Sequence, residues 1–271
     1  MGQRAARKLM GSIGHRIHRL AGAARNLRTR RTDAARAYWE RSGGADWKGN
    51  SHWRDSQVPG WAEIWDEIGD VHRSMYERFA RCRDGEATDR IVEWGVGGGA
   101  NAVRFAPLAR EFVAVDIAQD SLDETERQVG RVCSTPVRTV LVSLDDQSGH
   151  ITDLDGNVDL FLCFYVLELV PSEAHALEIV RSAFRMLRPG GAAILQTKYQ
   201  RSAPKPPPWA SFSRDLANSY VVGVDEFWEH LRLTGFDVHY TELVPRNRLD
   251  RNYAYYFATK PEKMLGTRGR E

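Results

Sequence analysis

Short apolar runs alternate with amphipathic segments along most of the chain. IVEW (91–94), FVAVD (112–116), VRTVLV (137–142), VDLFLCF (158–164) and AAILQT (192–197) read as strands, while residues 99–109, 119–131, 172–187 and 224–235 have helical character. VDLFLCF is nearly continuously apolar, as expected of a strand covered on both faces. Pro189-Gly190-Gly191 closes the helix before AAILQT, and Gly235 ends the last helix. Such alternation implies right-handed crossovers and a parallel sheet. FDVHYTELV (236–244) and NYAYYFATK (252–260), joined by a short basic loop, should pair antiparallel. Upstream, residues 61–81 form one more helix, with Ile64, Trp65, Ile68, Met75, Tyr76 and Phe79 on its buried face and Asp84-Gly85 after it.

These elements divide the chain into four parts. Residues 1–41 are a basic arm, and 42–85 a linker and helix that cover a site. Residues 86–260 are an α/β domain, a Rossmann-like seven-stranded, mostly parallel sheet with an antiparallel terminal strand and helices on both faces. Residues 261–271 are a tail. Leu9, Met10, Ile13, Ile17, Leu20, Ala24 and Leu27 recur at helical spacing in the arm, between arginines, but Gly11, Gly14 and Gly22 weaken that helix. A tail without fixed structure, a peripheral membrane contact through residues 1–31 and a partner-docking helix all remain open.

Charge and cysteine content narrow the setting. Residues 1–31 hold nine Lys/Arg and no acid, which leaves 29 basic against 36 acidic residues in the remainder, a net of −7. An acidic body is a poor nucleic-acid binder, because neutralising phosphates dominates that affinity. No run approaches the roughly 20 apolar residues of a membrane-spanning helix. Three separated cysteines, Cys82, Cys133 and Cys163, form no CxxC pair and fit a reducing, cytoplasmic setting.

The densest chemical signal is Glu93-Trp94-Gly95-Val96-Gly97-Gly98-Gly99, between a strand and a helix. Glycines let backbone turn sharply and approach a ligand. Asp116, about 20 residues on at the end of the next strand, suits a ribose diol. Gly95-x-Gly97-x-x-Ala100 also satisfies the dinucleotide fingerprint. Taken with VDLFLCFYVLELVPS (158–172) and FRMLRPGGAAIL (184–195), however, the acid-x-Gly-x-Gly-x-Gly run resembles the class I S-adenosylmethionine-dependent methyltransferases over roughly residues 90–260.

That resemblance implies S-adenosyl-L-methionine as cofactor. Glu93, Gly95 and Gly97 would frame its methionine end, Asp116 its ribose and Ile117 its adenine. Asp145, preferred over Asp146, would reach the adenine amino group, and Phe164 and Tyr165 would line the channel near the sulfonium. Where relatives carry Leu-Glu-His or Leu-His-His, this chain has Leu167-Glu168-Leu169, so no histidine base stands there. Tyr165, Glu168 and Lys198 are the catalytic candidates, ahead of His52, Tyr199 and His72, the last expected at the core edge or the surface. Asp145-Asp146 lacks a third ligand, so no metal is expected. Trp53, Trp61 and Trp65 on one side, and Pro206–Tyr220 with Trp209 and Phe212 on the other, are candidates to enclose the acceptor.

The reading is O-methylation of a small molecule, sugar or glycan, with the oligomeric state left open. An NAD(P)-dependent oxidoreductase and a non-catalytic cofactor-binding scaffold are the alternatives. The first lacks a Tyr-x-x-x-Lys pair after the fourth strand, and intact glycines with Asp116 weigh against the second. Nucleic-acid methylation is disfavoured by Phe164-Tyr165-Val166-Leu167, which stands where an Asn-Pro-Pro-Tyr motif would be.

Overall fold

The computed structural model describes residues 32–35, 53–55, 59–82, 88–146, 151–199, 220–248 and 251–262. Residues 1–31 and 36–41 of the basic arm, most of the linker, His52, Trp209 and Phe212 lie outside them. Each apolar run becomes a strand: β1 Thr88–Trp94, β2 Ala109–Asp116, β3 Val137–Leu141, β4 Val158–Cys163, β5 Leu187–Lys198, β6 Asp237–Arg246 and β7 Arg251–Thr259. The helices are α1 Trp61–Arg81, α2 Ala102–Phe105, α3 Gln119–Val129, α4 Glu173–Met186 and α5 Val224–Thr234.

The seven strands lie in the order β3-β2-β1-β4-β5-β7-β6. Pairs among β1 to β5 are parallel, and β7 runs antiparallel to both β5 and β6. The expected antiparallel terminal pair is present, and the reversed strand is wedged between the two it opposes. The strand order reverses direction between β1 and β4, where open α/β sheets bind ligands beyond the carboxyl ends of their strands.

Alternating side chains split the core into two layers. Val92, Trp94, Phe161, Cys163, Ala193 and Leu195 face α4 and α5, whose Ile179, Val180, Ala183, Phe227 and Leu231 bury against them. Ile91, Leu160, Leu162, Ala192, Ile194 and Phe257 face the other way, toward Trp65, Met75 and Phe79 of α1, Phe105 of α2 and Leu122 of α3. Covering both faces removes the central strands from water. It also explains why β4 reads as uninterrupted hydrophobicity.

Three expectations change. The helix expected at 99–109 is a single α-turn followed by a 3-10 turn, Ala106–Leu108. Pro107 has no N–H to continue it, and β2 begins at Ala109. Pro189-Gly190-Gly191 lies inside β5 rather than before it. There the Gly190 N–H donates to the Lys260 carbonyl (2.8 Å) and the Lys260 N–H to that of Gly191 (2.9 Å), and the β4–β5 register shifts beside it. On α1, Ile64, Ile68 and Tyr76 are only half-buried, whereas His72, expected at the core edge or the surface, is 1% exposed.

Among the described residues no helix is long and apolar enough to cross a membrane.

Candidate functional site

The glycine-rich loop leaves β1 beside the end of β2. The Gly95 and Val96 N–H groups both donate to the Val115 carbonyl (2.7 and 3.1 Å). Gly95 has φ 75°, and a Cβ there would meet Val166 Cγ2 at 2.2 Å, so only glycine lets this turn pass under the segment after β4. Asp116 braces the loop from β2: its Oδ2 accepts the Gly97 N–H (2.9 Å) and its Oδ1 the Ala118 N–H (3.0 Å). The Thr125 hydroxyl of α3 donates to the Gly97 carbonyl at 3.1 Å. Burial raises the Asp116 carboxyl above its ordinary value, and the backbone donors only partly offset this. A carboxylate accepts about four hydrogen bonds, so beside the Gly97, Ala118 and Ile117 backbone donors it keeps capacity for a ligand hydroxyl.

Glu93, the last but one residue of β1, is 1% exposed. Its Oε1 accepts the Asn101 amide at 2.7 Å. Its Oε2 is buried with no hydrogen-bond partner among the described residues. Burial pushes this carboxyl up to about 8, Asn101 pulls it down, and the nearby Asp116 charge raises it further. An orphaned, buried carboxylate oxygen beside a second carboxylate suits a cationic amine and a ribose, and is a poor setting for a pyrophosphate. The residues present therefore fit S-adenosylmethionine better than a dinucleotide.

Just past β2, Ile117 is half-buried and packs with Leu144 and with Ala34 and Ala35 of the helical turn 32–35. Asp145 is exposed and Asp146 half-buried, in a turn where the Ser143 hydroxyl accepts the Asp145 N–H at 3.1 Å.

Two of the three catalytic candidates, Tyr165 and Lys198, meet at the ring of Tyr253. Tyr165, just past β4, meets Tyr253 edge-on with centroids 5.1 Å apart. The Lys198 ammonium lies 5.9 Å from the Tyr253 centroid. Glu168, buried on the 3-10 turn Leu167–Leu169, raises the Tyr165 hydroxyl electrostatically; burial is the larger cause, and together they push it up to about 12. Tyr165 sits at φ 56° and its N–H donates to Gln196 Oε1 at 2.6 Å. A left-handed, bulky residue is strained, and such strain gathers at functional sites. The ring of Phe164 is buried and stacks on His72, centroids 4.0 Å apart, so it faces α1. Tyr199 is tied to β7 through the Asn252 carbonyl (2.7 Å). Trp65 belongs to the core, and Trp53 and Trp61 are half-buried.

Sequence reasoning missed the polar groups that connect these parts. His72 Nδ1 is 2.8 Å from Asn101 Oδ1, and its Nε2 is 3.2 Å from the Tyr255 hydroxyl. Tyr255 lies 3.2 Å from the Tyr165 hydroxyl, which also accepts the Asn247 amide at 3.4 Å. One signal was available: Trp65, Gly69, His72, Met75 and Phe79 follow a helical stripe, so a histidine lay on an otherwise apolar face. A Cβ at Gly69 would meet the Ala100 carbonyl at 2.3 Å, which shows how closely α1 lies on the loop.

Among the described residues, Glu173, Glu226 and His230 place donor atoms within 4.8 Å of one another. Glu173 and Glu226 lie in the first turns of α4 and α5, where helix dipoles stabilise carboxylates without an ion.

Residues 91–191 match the family model described as "Methyltransferase domain". The chain is 32% identical over 108 residues to the ubiquinone biosynthesis O-methyltransferase of Xanthomonas oryzae pv. oryzae, covering 40% of this chain and 42% of that protein. The protein of the same name from Alkalilimnicola ehrlichii is 27% identical over 140 residues, 49% and 53% of the two chains. The chain thus spans about half the length of these curated relatives. In fold it is similar to the N-methyltransferase NodS of Bradyrhizobium japonicum WM9 in complex with S-adenosyl-L-homocysteine, with a TM-score of 0.58 at 16% identity over 84% of this chain and 99% of that one. Residues 91–191 thus match a methyltransferase domain, and the chain shares the fold of a methyltransferase solved with S-adenosyl-L-homocysteine.

Proposed function

We propose that this protein transfers a methyl group to a hydroxyl oxygen of a small molecule, sugar or glycan. The observation that carries the reading is the pairing of two carboxylates around one glycine loop: buried Glu93 with an uncommitted oxygen, and half-buried Asp116 with accepting capacity beyond its backbone donors. S-adenosylmethionine, when bound, supplies an electrophilic methyl group on a sulfonium.

The chain's residues do the rest. Glu93, with Gly95 and Gly97, receives the amino acid end, Asp116 orients the ribose, and Ile117 with Asp145 flanks the adenine. Phe164 and Tyr165 border the transfer site at the carboxyl end of β4. In-line displacement gains most from alignment of the two reacting atoms, and the braced loop together with the strained Tyr165 backbone supplies rigidity on both sides. A hydroxyl acceptor also gains from a group that takes its hydrogen bond. Tyr165, Glu168 and Lys198 are the candidates for that group. An oxygen acceptor is further supported by the names of the two O-methyltransferase relatives.

Calorimetry with S-adenosylmethionine and S-adenosylhomocysteine, with NAD and NADP as controls, tests the cofactor. Micromolar binding of the first pair alone, followed by S-adenosylhomocysteine release against a panel of phenols and sugars, is the expected result. No binding of the first pair by folded protein would overturn the reading.

A further inference from the structure

One buried chain of polar groups links the cofactor carboxylate to the acceptor-side tyrosine. It runs Glu93, Asn101, His72, Tyr255, Tyr165 and Asn247 through contacts of 2.7, 2.8, 3.2, 3.2 and 3.4 Å. Glu93, Asn101, His72 and Tyr255 are buried, so water cannot substitute for a missing partner.

Proton counting makes this chain directional. An ionised carboxylate only accepts, so the Asn101 amide donates to it and the Asn101 carbonyl is left to accept from His72 Nδ1–H. A neutral imidazole carries one N–H, so Nε2 must accept, and the Tyr255 hydroxyl donates to it. Tyr255 has then spent its hydrogen, and Tyr165 donates to the Tyr255 oxygen. The Tyr165 oxygen, receiving Asn247, keeps a lone pair for an incoming hydrogen. If Glu93 carries a proton and donates it to Asn101, every step reverses: the amide flips, His72 becomes Nε2–H, and Tyr165 turns its hydrogen outward.

We propose that Asn101 and His72 are positioning residues that transmit the charge state of Glu93 to the Tyr165 hydroxyl, so that only with Glu93 ionised does Tyr165 present a hydrogen-bond acceptor to the methyl acceptor's hydroxyl. The inference rests on the assignment of Glu93 to the cofactor's amino group, whose positive charge favours the ionised form. It joins the two halves of the site: an occupied cofactor pocket prepares the acceptor pocket.

Two shifts agree with this. Burial holds Glu93 up to about 8 in the ligand-free protein. Burial also lowers His72 to about 4, so the imidazole stays neutral and must choose a tautomer. The charged neighbours are few. Asp116 acts on Glu93 from β2, and Glu168 acts on both phenols from the turn after β4, with a smaller influence of Glu67 of α1 on Tyr165.

The test is the tautomer of His72, read by nitrogen NMR on full-length protein with labelled histidine, the signal assigned among eight histidines with His72→Gln. In the ligand-free protein, raising the pH from 6 to 9.5 should convert Nε2–H into Nδ1–H. Glu93→Gln should abolish that conversion. Saturating S-adenosylhomocysteine should give Nδ1–H already at pH 7. A single tautomer across the ligand-free titration, or conversion that persists in Glu93→Gln, would overturn the proposal. If S-adenosylhomocysteine gives no calorimetric heat, the cofactor reading fails by itself, and the ligand-free titration still decides this one.

Discussion

His72 Nδ1 stands 2.8 Å from Asn101 Oδ1, joining a helix that precedes the sheet to the residue that closes the glycine loop. The contact makes α1 part of the site rather than a cover over it. It also ties the behaviour of a buried carboxyl on β1 to a buried imidazole on α1. Several measurable consequences come from those two groups and from the loop between them.

Glu93 should make the ligand-free protein less stable as pH rises. Its native carboxyl holds a proton up to about 8, against 4.5 ordinarily. Between those values the native state binds more protons than the unfolded state, so stability falls as pH increases, by at most about 1.4 kcal/mol per pH unit. Chemical unfolding from pH 6.5 to 8, above the range where His72 acts, should show that slope in the wild type and a flatter profile in Glu93→Gln. Binding of S-adenosylhomocysteine at pH 7 should release protons, seen as a heat that depends on the buffer's ionisation enthalpy. A buffer-independent heat would contradict the assignment.

His72 acts in the opposite direction on the acid side. Its native value of about 4 lies below the ordinary 6.5. The unfolded state therefore binds more protons between them, and stability is lost as pH falls from about 6.5 toward 4. A His72→Gln variant should be less stable than wild type at pH 7, because Asn101 and Tyr255 lose a well-fitted partner. The gap should narrow by pH 4.5.

Asp116→Ala should lower affinity for S-adenosylhomocysteine at least about 100-fold, the effect of losing hydrogen bonds to a charged acceptor worth about 1.5–3 kcal/mol each. It also removes the brace on Gly97 and Ala118. Asp116→Asn, which keeps the shape and one acceptor oxygen, separates the two effects. Its melting temperature should stay near wild type while calorimetric affinity drops at least about tenfold.

Gly95→Ala should destabilise the protein by about 1–3 kcal/mol in urea unfolding, since the new methyl overlaps Val166 and the positive φ disfavours any Cβ. Adding Val166→Ala should recover part of the loss, leaving the backbone strain. No recovery in the double variant would mean that the close approach of loop and β4 segment is not what requires glycine.

Much of the fold was legible because the sheet's periodicities are local. A strand buried on both faces must be apolar throughout, as β4 is, and a helix on one face must carry a stripe, as α4 and α5 do. Pro107 and Pro189-Gly190-Gly191 were misjudged. A short helix and a kinked strand look alike in sequence, and the pairing of Gly190 and Gly191 with Lys260 that selects the strand spans about 70 residues. The site was legible where ligand chemistry is written as a spaced motif, at Glu93, Gly95, Gly97 and Asp116.

By itself, then, the sequence determined the sheet-and-helix alternation, the glycine loop with its two carboxylates, and the cofactor class they suit, because each depends on residues a few to about twenty positions apart. Only the tertiary structure decided that β7 runs between β5 and β6 and that Tyr165 and Lys198 meet at Tyr253. It alone placed His72 between Asn101 and Tyr255, 29 and 183 residues away. The physical reason is burial: a polar side chain cut off from water must find its partner in space, and no local pattern records which distant residue that is.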